Sequence, residues 1–365
     1  MGEGHMKICL QLVIMTLLSL AISANAETSL ITRMNEIKDQ YKLPGMGLGI
    51  VELNQKTQVY TVGVREAGKP QSLKHSDRFH LGSQIKSMTA YLISELVKEK
   101  KIGFDSNVSD IFPEFKVHPD LSKLTIRMLI LHRSGLARGI PNYEKIREEL
   151  NRARTIVQAR RILTRHLLEN APMTKPDTVD SYSNAGYLIL GHVIEKYSSR
   201  SYEEQISLKL FKALKMKSCG FGASPDVSGH YVNKGILTVL NDDNLAFWAP
   251  AGTVHCNLKD WGEFIKLHLV RMKKDKELYQ VDSISQMDYT LSSMFRLKRD
   301  WSKEDVFTHS GTNLLNYARL WIDPHKDRAF LLVTNRGGDE SFSGSDAVLD
   351  ETAKAINELA IAVIK

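Results

Sequence analysis

The stretch Phe79-His80-Leu81-Gly82-Ser83-Gln84-Ile85-Lys86-Ser87-Met88-Thr89-Ala90 decides the architecture of this chain. It predicts a short extended segment, a glycine hinge and then a helix whose first turn carries Ser83 and Lys86. Side chains three residues apart share one face of a helix, so these two can meet. A serine hydroxyl becomes a strong nucleophile when a base takes its proton, and a desolvated lysine can be that base. The S-x-x-K spacing alone is weak evidence, because it arises about once by chance in a chain this long.

The composition indicates a globular protein with enough apolar residues for a large core. The chain has 365 residues, of which 42% are hydrophobic and 25% charged, and this length suits one composite domain or two smaller ones. The net charge of +7 favours acidic surfaces such as an anionic cell envelope. The sequence contains neither a basic-aromatic recognition module nor zinc-type cysteine spacing, so nucleic-acid binding is not expected.

The N-terminus predicts a secretory signal peptide over residues 1–26. Met6-Lys7 precedes an apolar run from Ile8 to Ile22, and Ala24-Asn25-Ala26 forms a small-residue cleavage site. We therefore expect residues 27–365 to be the mature domain and the protein to be exported, either periplasmic or secreted. An uncleaved membrane anchor is the alternative, and translation could start at Met1 or at Met6.

Two cysteines remain after this cleavage, Cys219 and Cys256. In an oxidising compartment they can form a disulfide, but two small buried thiols fit the sequence equally well.

Hydrophobic periodicity predicts strands near both ends of the chain and helices between them. The predicted strands are Met46–Leu53, Val59–Val64, Met294–Leu297, Asp305–His309, Leu315–Asp323 and Ala329–Asn335. The predicted helices are Ser29–Tyr41, a helix from Ser83, Ile126–His132, Pro141–Asn170, Tyr187–Tyr197, Trp261–Met272 and Asp346–Ile364.

This pattern predicts an α+β fold with an antiparallel sheet built from N- and C-terminal strands and flanked by helices. Residues 27–110 and 289–365 would form the sheet lobe. Residues 111–288 would form an inserted, mostly helical lobe, with the cleft between the two lobes.

Two further short motifs carry chemistry. Tyr182-Ser183-Asn184 leads into a helix, and a phenol near a lysine can shuttle a proton. His309-Ser310-Gly311-Thr312 ends a strand, where a small residue at Gly311 lets a substrate backbone lie against the strand. Each motif alone also has a purely structural explanation. The first could be a capped helix N-terminus, and the second an exposed histidine at a strand end.

Together and in this order, S-x-x-K, Y-x-N and H-x-G resemble the serine β-lactamase and penicillin-binding-protein superfamily. The likeness is to the branch of class C β-lactamases, DD-peptidases and related esterases. It runs from about Leu43 to Asn335 and includes Leu124–Arg127, Ser134-Gly135-Leu136 and Pro250-Ala251-Gly252. The resemblance implies a β-lactamase/transpeptidase-like fold and a site that uses no metal and no cofactor.

The resemblance also implies roles for the catalytic residues. Ser83 would be the acylated nucleophile, Lys86 its proton acceptor, and Tyr182 a general base and acid. The main-chain N–H groups of Ser83 and Thr312 would form the oxyanion hole.

The remaining residues would bind substrate. Asn184 would hold Lys86 and bind the carbonyl of the acyl-side amide. His309 and Ser310 would lie close to the phenol and the substrate carboxylate, with Gly311 beside them.

The sequence departs from the class C pattern at several positions. His309 stands where those β-lactamases carry lysine, and histidine is charged only near or below pH 6.5. This favours a DD-peptidase, a D-amino-acid peptidase or an esterase. If its charge assists carboxylate binding, KM should rise as pH climbs from about 6 to 8. Ser310 for threonine, Pro176-Asp177 and Ala213-Leu214-Lys215-Met216 are lesser changes.

The expected function is therefore that of an exported serine hydrolase, which acts through an acyl-enzyme on Ser83 and cleaves an amide or ester. D-amino-acid peptides, short esters and β-lactams are the candidate substrates, and peptidoglycan fragments are candidate partners. No stable membrane span is expected after signal cleavage. The alternative is a non-catalytic or slowly acylating sensor or scaffold. The physiological substrate and the oligomeric state stay open.

Overall fold

The computed structural model describes residues 27–274, 294–299, 301–303, 305–337 and 350–364. The predicted signal peptide and the predicted lobe boundary at residues 288–289 lie outside these ranges. The strands are β1 (Gly45–Glu52), β2 (Gln58–Gly63), β3 (Phe79–Gly82), β4 (Gly220–Phe221), β5 (Gly229–Asn233), β6 (Ile236–Leu240), β7 (Val254–Cys256), β8 (Phe295–Leu297), β9 (Val306–Thr312), β10 (Tyr317–Asp323) and β11 (Arg328–Thr334).

A first helix, α1, covers residues 27–40. The other helices are α2 (Ile85–Lys98), α3 (Val108–Ile111), α4 (Ile126–Ile130), α5 (Arg147–Arg152), α6 (Ile156–Glu169), α7 (Asn184–Ser198), α8 (Tyr202–Ile206), α9 (Ala249–Gly252), α10 (Leu258–Lys274) and α11 (Asp350–Ile364). In the described ranges, no helix is both long and apolar enough to cross a bilayer.

The central sheet joins the two ends of the chain, as predicted. Its six strands run in the order β2-β1-β11-β10-β9-β8, and every neighbouring pair is antiparallel. The N-terminal hairpin meets the C-terminal strands where β1 pairs with β11, with Met46 opposite Thr334. The predicted α+β class is confirmed.

Both faces of this sheet are covered because its strands are apolar on both sides. In β11, Phe330 and Leu332 pack into the core formed with α1 and α11. The alternate residues Leu331 and Val333 belong to the larger core, which also contains residues of α2, α7 and α10. Successive side chains of a strand point to opposite faces, so one strand contributes to two cores.

Residues 104–274, which lie between the two predicted sets of sheet strands, are less helical than the sequence pattern predicts. They contain β4 and β7, which join β3 in a second sheet of order β3-β7-β4, and the β5-β6 hairpin. β4 and β7 were missed because they are only two and three residues long, too short for a periodic signal. The predicted helix from Pro141 to Asn170 is also divided, because Thr155 caps a new start at α6 by accepting from the Gln158 N–H.

Cys219 and Cys256 form a disulfide, with Cα atoms 4.2 Å apart. This decides between the two alternatives that the sequence left open. Cys256 lies opposite Phe79 in the pairing of β7 with β3, so the crosslink braces the strand that leads into Ser83.

Candidate active site

Ser83 lies in a turn between β3 and α2. The prediction of a helix that already contains Ser83 was wrong by two residues, since α2 begins at Ile85. The reason is Gly82, whose φ of +52° is in the left-handed region and reverses the chain there. The side chain of Gln84 ties this turn to the sheet by donating from Nε2 to the carbonyl of His309 at 2.8 Å.

Lys86 is fully buried beneath the serine. Its Nζ lies 3.0 Å from Ser83 Oγ and donates to the carbonyl oxygen of Ala251 at 2.5 Å. Burial, and then the positive charge of Arg138, lower the pKa of Lys86 well below its ordinary value of 10.5. A lysine amine in this neutral state has a lone pair that can accept the serine proton.

Tyr182 lies two residues before the start of α7 and completes the group. Its ring centroid lies 5.0 Å from Lys86 Nζ, and its phenol is hydrogen-bonded with Ser83. Burial raises the pKa of Tyr182 to about 12, against the opposing effects of the Ser83 hydrogen bond and the Arg138 charge. The fold therefore brings the three predicted catalytic side chains together around one hydroxyl.

Asn184 is placed differently from what the resemblance implied. It is the first residue of α7, and its main-chain N–H donates to the carbonyl of Arg138 at 3.0 Å. Among the described residues it makes no hydrogen bond to Lys86, whose Nζ instead contacts Ser83 Oγ and the carbonyl oxygen of Ala251. A role for its half-buried side chain in binding substrate remains a prediction.

His309 is buried in β9, and its charge is suppressed. Burial lowers the pKa of His309 well below 6.5, and a positive charge on Lys86, when that amine is protonated, lowers it further. The side chain is therefore neutral at pH 7. The hypothesis of a histidine that titrates between pH 6 and 8 and attracts a carboxylate does not fit this environment.

After His309, the hydroxyl groups of Ser310 and Thr312 make their hydrogen bonds within the sheet and the adjoining turn. Ser310 Oγ shares a hydrogen bond of 2.9 Å with the phenol of Tyr317, on the strand face opposite His309. Thr312 Oγ1 donates to the carbonyl of Asn316 at 2.7 Å. These two hydroxyls are thus engaged by β10 and by the turn before it.

The main-chain nitrogens of Ser83 and Thr312 lie close to the same turn. A Cβ built on Gly82 would lie 2.3 Å from Thr312 N, and one built on Gly311 would lie 2.8 Å from Ser83 N. Two amide donors are therefore held beside the serine, an arrangement that could stabilise a developing oxyanion.

Comparison with known proteins identifies the family. The sequence profile of the Beta-lactamase family matches residues 29–354. The chain belongs to the beta-lactamase family. This confirms the predicted membership of the serine β-lactamase and penicillin-binding-protein superfamily, whose fold suggests serine hydrolase activity.

The relatives of this beta-lactamase family member are distant. "Protein flp" of Staphylococcus aureus (strain MRSA252) is 23% identical over 306 residues, which cover 80% of this chain and 60% of that protein. "Beta-lactamase-like protein 4" of Dictyostelium discoideum is 24% identical, with coverage of 72% and 46%. The chain thus spans about 60% or less of the length of these curated relatives.

Two solved structures share the fold. The octameric penicillin-binding protein homologue from Pyrococcus abyssi has a TM-score of 0.68 at 22% identity, covering 93% of this chain and 77% of that one. The structure titled SurE has a TM-score of 0.67 at 19% identity, with coverage of 92% and 74%. At these identities the likeness establishes the fold alone.

Two residues of this beta-lactamase family site, Ala251 and Arg138, were given no role by sequence reasoning. Ala251 contacts Lys86 through its carbonyl, and main-chain contacts leave no side-chain signal. Arg138 places its guanidinium carbon 5.5 Å from the Tyr182 ring centroid, but its position in a loop gives no period to detect. Within the described ranges, no group of three or more His, Cys, Asp or Glu residues is arranged to hold a metal ion.

Proposed function

We propose that this protein is an exported serine hydrolase that cleaves an amide or ester through an acyl-enzyme on Ser83. The observation that carries the proposal is the buried Lys86 amine, 3.0 Å from Ser83 Oγ and with a strongly lowered pKa. A lysine buried without a carboxylate partner is unfavourable for folding. The presence of this lysine beside a serine hydroxyl is explained if Lys86 acts as the base that takes the serine proton.

The geometry supports a two-step reaction. In the first step Ser83 Oγ attacks the substrate carbonyl carbon and its proton passes to the neutral Lys86 amine. The oxyanion forms against the N–H groups of Ser83 and Thr312. The bond to the leaving group then breaks as Tyr182 donates its proton to that group and regains one from Lys86.

Hydrolysis of the acyl-enzyme reverses these roles. A water molecule attacks the ester carbon and loses a proton towards Tyr182 and Lys86. The carbon–oxygen bond to Ser83 breaks, and Ser83 Oγ takes back a proton. The products are a carboxylic acid and the free enzyme.

The neutral His309 bears on the class of substrate. A buried neutral imidazole supplies no positive charge where class C β-lactamases carry lysine. This supports a DD-peptidase or esterase acting on a D-amino-acid peptide or a short ester, and disfavours an efficient class C β-lactamase. Export would give such an enzyme access to peptidoglycan fragments, and N-terminal sequencing after Ala26 would test the predicted signal cleavage.

Active-site labelling tests the proposed nucleophile. A fluorescent penicillin or a fluorophosphonate probe should label the wild type but not Ser83→Ala. Ser94→Ala is the matched control, because Ser94 lies further along α2 and its hydroxyl donates to the carbonyl of Tyr91. Equal labelling of the wild type and Ser83→Ala would exclude Ser83 as the nucleophile.

A substrate panel tests the reaction class. One sample of the purified protein would be assayed with nitrocefin, a D-Ala-D-Ala peptide and p-nitrophenyl butyrate. We expect steady turnover of the peptide or the ester, and slow turnover of nitrocefin. A stoichiometric burst without steady turnover would instead support a binding protein that acylates but does not hydrolyse.

A further inference from the structure

His132 holds the chain on both sides of Tyr182. The main-chain N–H of Ser181 donates to the His132 carbonyl at 2.9 Å. The main-chain N–H of Ser183 donates to the His132 ring nitrogen Nδ1 at 3.2 Å. Between these two bonds, the imidazole packs against the Tyr182 ring with centroids 4.3 Å apart. One residue thus fixes the backbone and the side chain of the proposed proton carrier.

The protonation state of His132 suits this contact. Burial, followed by the charge of Lys86, lowers the pKa of His132 to about 3, so its ring is neutral over the working range of an enzyme. Because Nδ1 accepts a hydrogen bond from Ser183, the ring proton is on Nε2. The orientation of the ring is therefore set by the residue that follows Tyr182.

Simple packing does not explain a histidine at this position. Within the described part of the chain, its buried Nε2 has no hydrogen-bond partner, which is unfavourable. Its φ of +58° lies in the left-handed region, which is uncommon for any residue except glycine. Phenylalanine would fill the same space without a buried N–H group, but it would leave the N–H of Ser183 without an acceptor.

The charged and titratable groups around this pair are few. Lys86 Nζ lies 5.0 Å from the Tyr182 ring centroid and the Arg138 guanidinium carbon 5.5 Å from it. The Tyr187 ring lies 5.3 Å from the His132 ring. His309 lies close enough to His132 that a charge on His132 would lower the pKa of His309 further. None of these groups is a carboxylate. The carboxylates that flank this part of the chain, Asp177 and Asp180, are both paired with Arg133. The orientation of the Tyr182 ring itself therefore depends on hydrogen bonds and packing.

We propose that His132 is a positioning residue for acylation, which holds the Tyr182 hydroxyl against Ser83 through the Ser183 N–H bond and the ring contact. This inference rests on the proposed function, in which Tyr182 moves a proton between Ser83 and the leaving group. It adds a residue that touches neither substrate nor nucleophile. It also predicts that the two contacts can be removed separately.

Two substitutions separate these contacts. His132→Phe keeps an aromatic ring against Tyr182 and removes the acceptor for Ser183. His132→Asn keeps an acceptor, because asparagine Oδ1 stands where histidine Nδ1 does, and asparagine tolerates a positive φ. It removes the ring, however, and opens space for water beside the Tyr182 phenol.

The variants are compared by steady-state hydrolysis of p-nitrophenyl butyrate and by the rate of fluorophosphonate labelling. For His132→Phe we expect kcat to fall by roughly 30-fold or more with KM changed less than about threefold, since general acid–base catalysis is worth about 10²–10⁴. His132→Asn should lose less in kcat. Its alkaline limb of kcat should shift to lower pH, because water beside the phenol lowers the pKa of Tyr182 from about 12.

His192→Phe is the matched control. His192 is another buried histidine, and its ring stacks on Phe112 with centroids 5.0 Å apart, in the helical lobe. This variant should melt at a lower temperature but keep the wild-type pH profile. Two outcomes would overturn the proposal. In the first, both His132→Phe and His132→Asn keep kcat within about threefold of the wild type. In the second, both variants lose kcat but the pH profile of His132→Asn is the same as that of the wild type.

Two further readouts keep the test decisive. Absence of Ser83 labelling in the wild type would refute the proposed function, whereas slow but complete labelling of the variants would support the positioning role. If the variants do not fold, the wild-type imidazole can be followed by nitrogen NMR. We expect His132 to remain in the Nε2–H form from pH 5 to 9, and its signals to move when Ser83 is acylated. Signals unchanged by acylation would exclude the coupling.

Discussion

Gly311 and Leu81 approach each other through their main chains at the point where β9 meets the nucleophile turn. A Cβ built on Gly311 would lie 2.1 Å from the carbonyl oxygen of Leu81 and 2.8 Å from the nitrogen of Ser83. The sequence had suggested that Gly311 is small so that a substrate can lie against the strand. The structure gives another reason, since any side chain there would push β9 away from the turn that presents Ser83.

Gly311→Ala should therefore reduce activity strongly. Moving the Ser83 turn by about 1 Å relative to β9 separates the two candidate oxyanion donors, and a displacement of that size can cost on the order of 10²-fold in rate. We expect kcat/KM for p-nitrophenyl butyrate to fall by about that factor. Gly103→Ala is the control, because its Cβ would come no closer than 3.5 Å to any atom. Near-normal activity in Gly311→Ala would show that the turn can shift without loss.

Lys86→Met should abolish activity and increase stability at neutral pH. A lysine whose pKa is lowered by folding must release its proton to fold, so it destabilises the folded state at every pH below 10.5, and most at low pH. Methionine has no such cost. The stability gained by the substitution should be larger at pH 6 than at pH 10, as measured by urea unfolding.

The control for this experiment is Lys98→Met, at the exposed end of α2, where the side chain is 78% accessible. It should change neither activity nor the pH dependence of stability. If Lys86→Met were less stable than the wild type at pH 6, the buried amine would be charged and paired, and its assignment as a neutral base would be wrong.

Much of the site could be predicted from sequence because it rests on side chains in short motifs. Ser83, Lys86 and Tyr182 are separated by up to 99 residues, yet the resemblance placed them together. Lys86 shows the limit of prediction from side-chain motifs. Its partner is the carbonyl of Ala251, and nothing in an alanine indicates such a role.

The charge of His309 illustrates a second limit. The residue type gives only an ordinary pKa, and the direction of its shift depends on burial and on Lys86, which only the folded structure supplies. Prediction of the fold from sequence has a similar limit. The sheet strands of six to eight residues gave a readable pattern, whereas β4 and β7 are defined by their pairing with neighbours.

The neutral state of His309 predicts a flat pH profile for substrate binding. KM for a carboxylate-bearing D-Ala-D-Ala peptide should change by less than about twofold between pH 6 and 8, because the imidazole does not titrate there. His309→Gln, which is neutral at every pH, should show the same flat profile. The contrary result would be a KM for the peptide that rises severalfold between pH 6 and 8 in the wild type but not in His309→Gln, with no such rise for p-nitrophenyl butyrate. It would show that a charged His309 helps to bind the carboxylate.

A largely buried ion network links α6, α7 and α8 and gives a prediction about folding. Arg160 has no accessible surface and donates from Nε to Glu195 at 2.8 Å and from Nη2 to Glu203 at 2.6 Å. Arg160→Met would leave the buried carboxylate of Glu195 and the partly buried carboxylate of Glu203 without their cation, and removing one partner of a buried ion pair typically costs about 3–5 kcal/mol. The exposed pair of Arg152 and Glu148 is the control, and Arg152→Met should leave the free energy of unfolding nearly unchanged.

The pH dependence of this loss identifies its cause. Burial already raises the pKa of Glu203, against the opposing charge of Arg160, and removal of Arg160 should raise it further. Once the Glu203 carboxyl group is protonated it no longer needs a cation, so the difference in unfolding free energy between Arg160→Met and the wild type should narrow as pH falls from 7 to 4. Urea unfolding followed by circular dichroism would measure this difference. If the loss of unfolding free energy stays constant over this pH range, Arg160 stabilises the packing of these helices by its shape rather than by its charge.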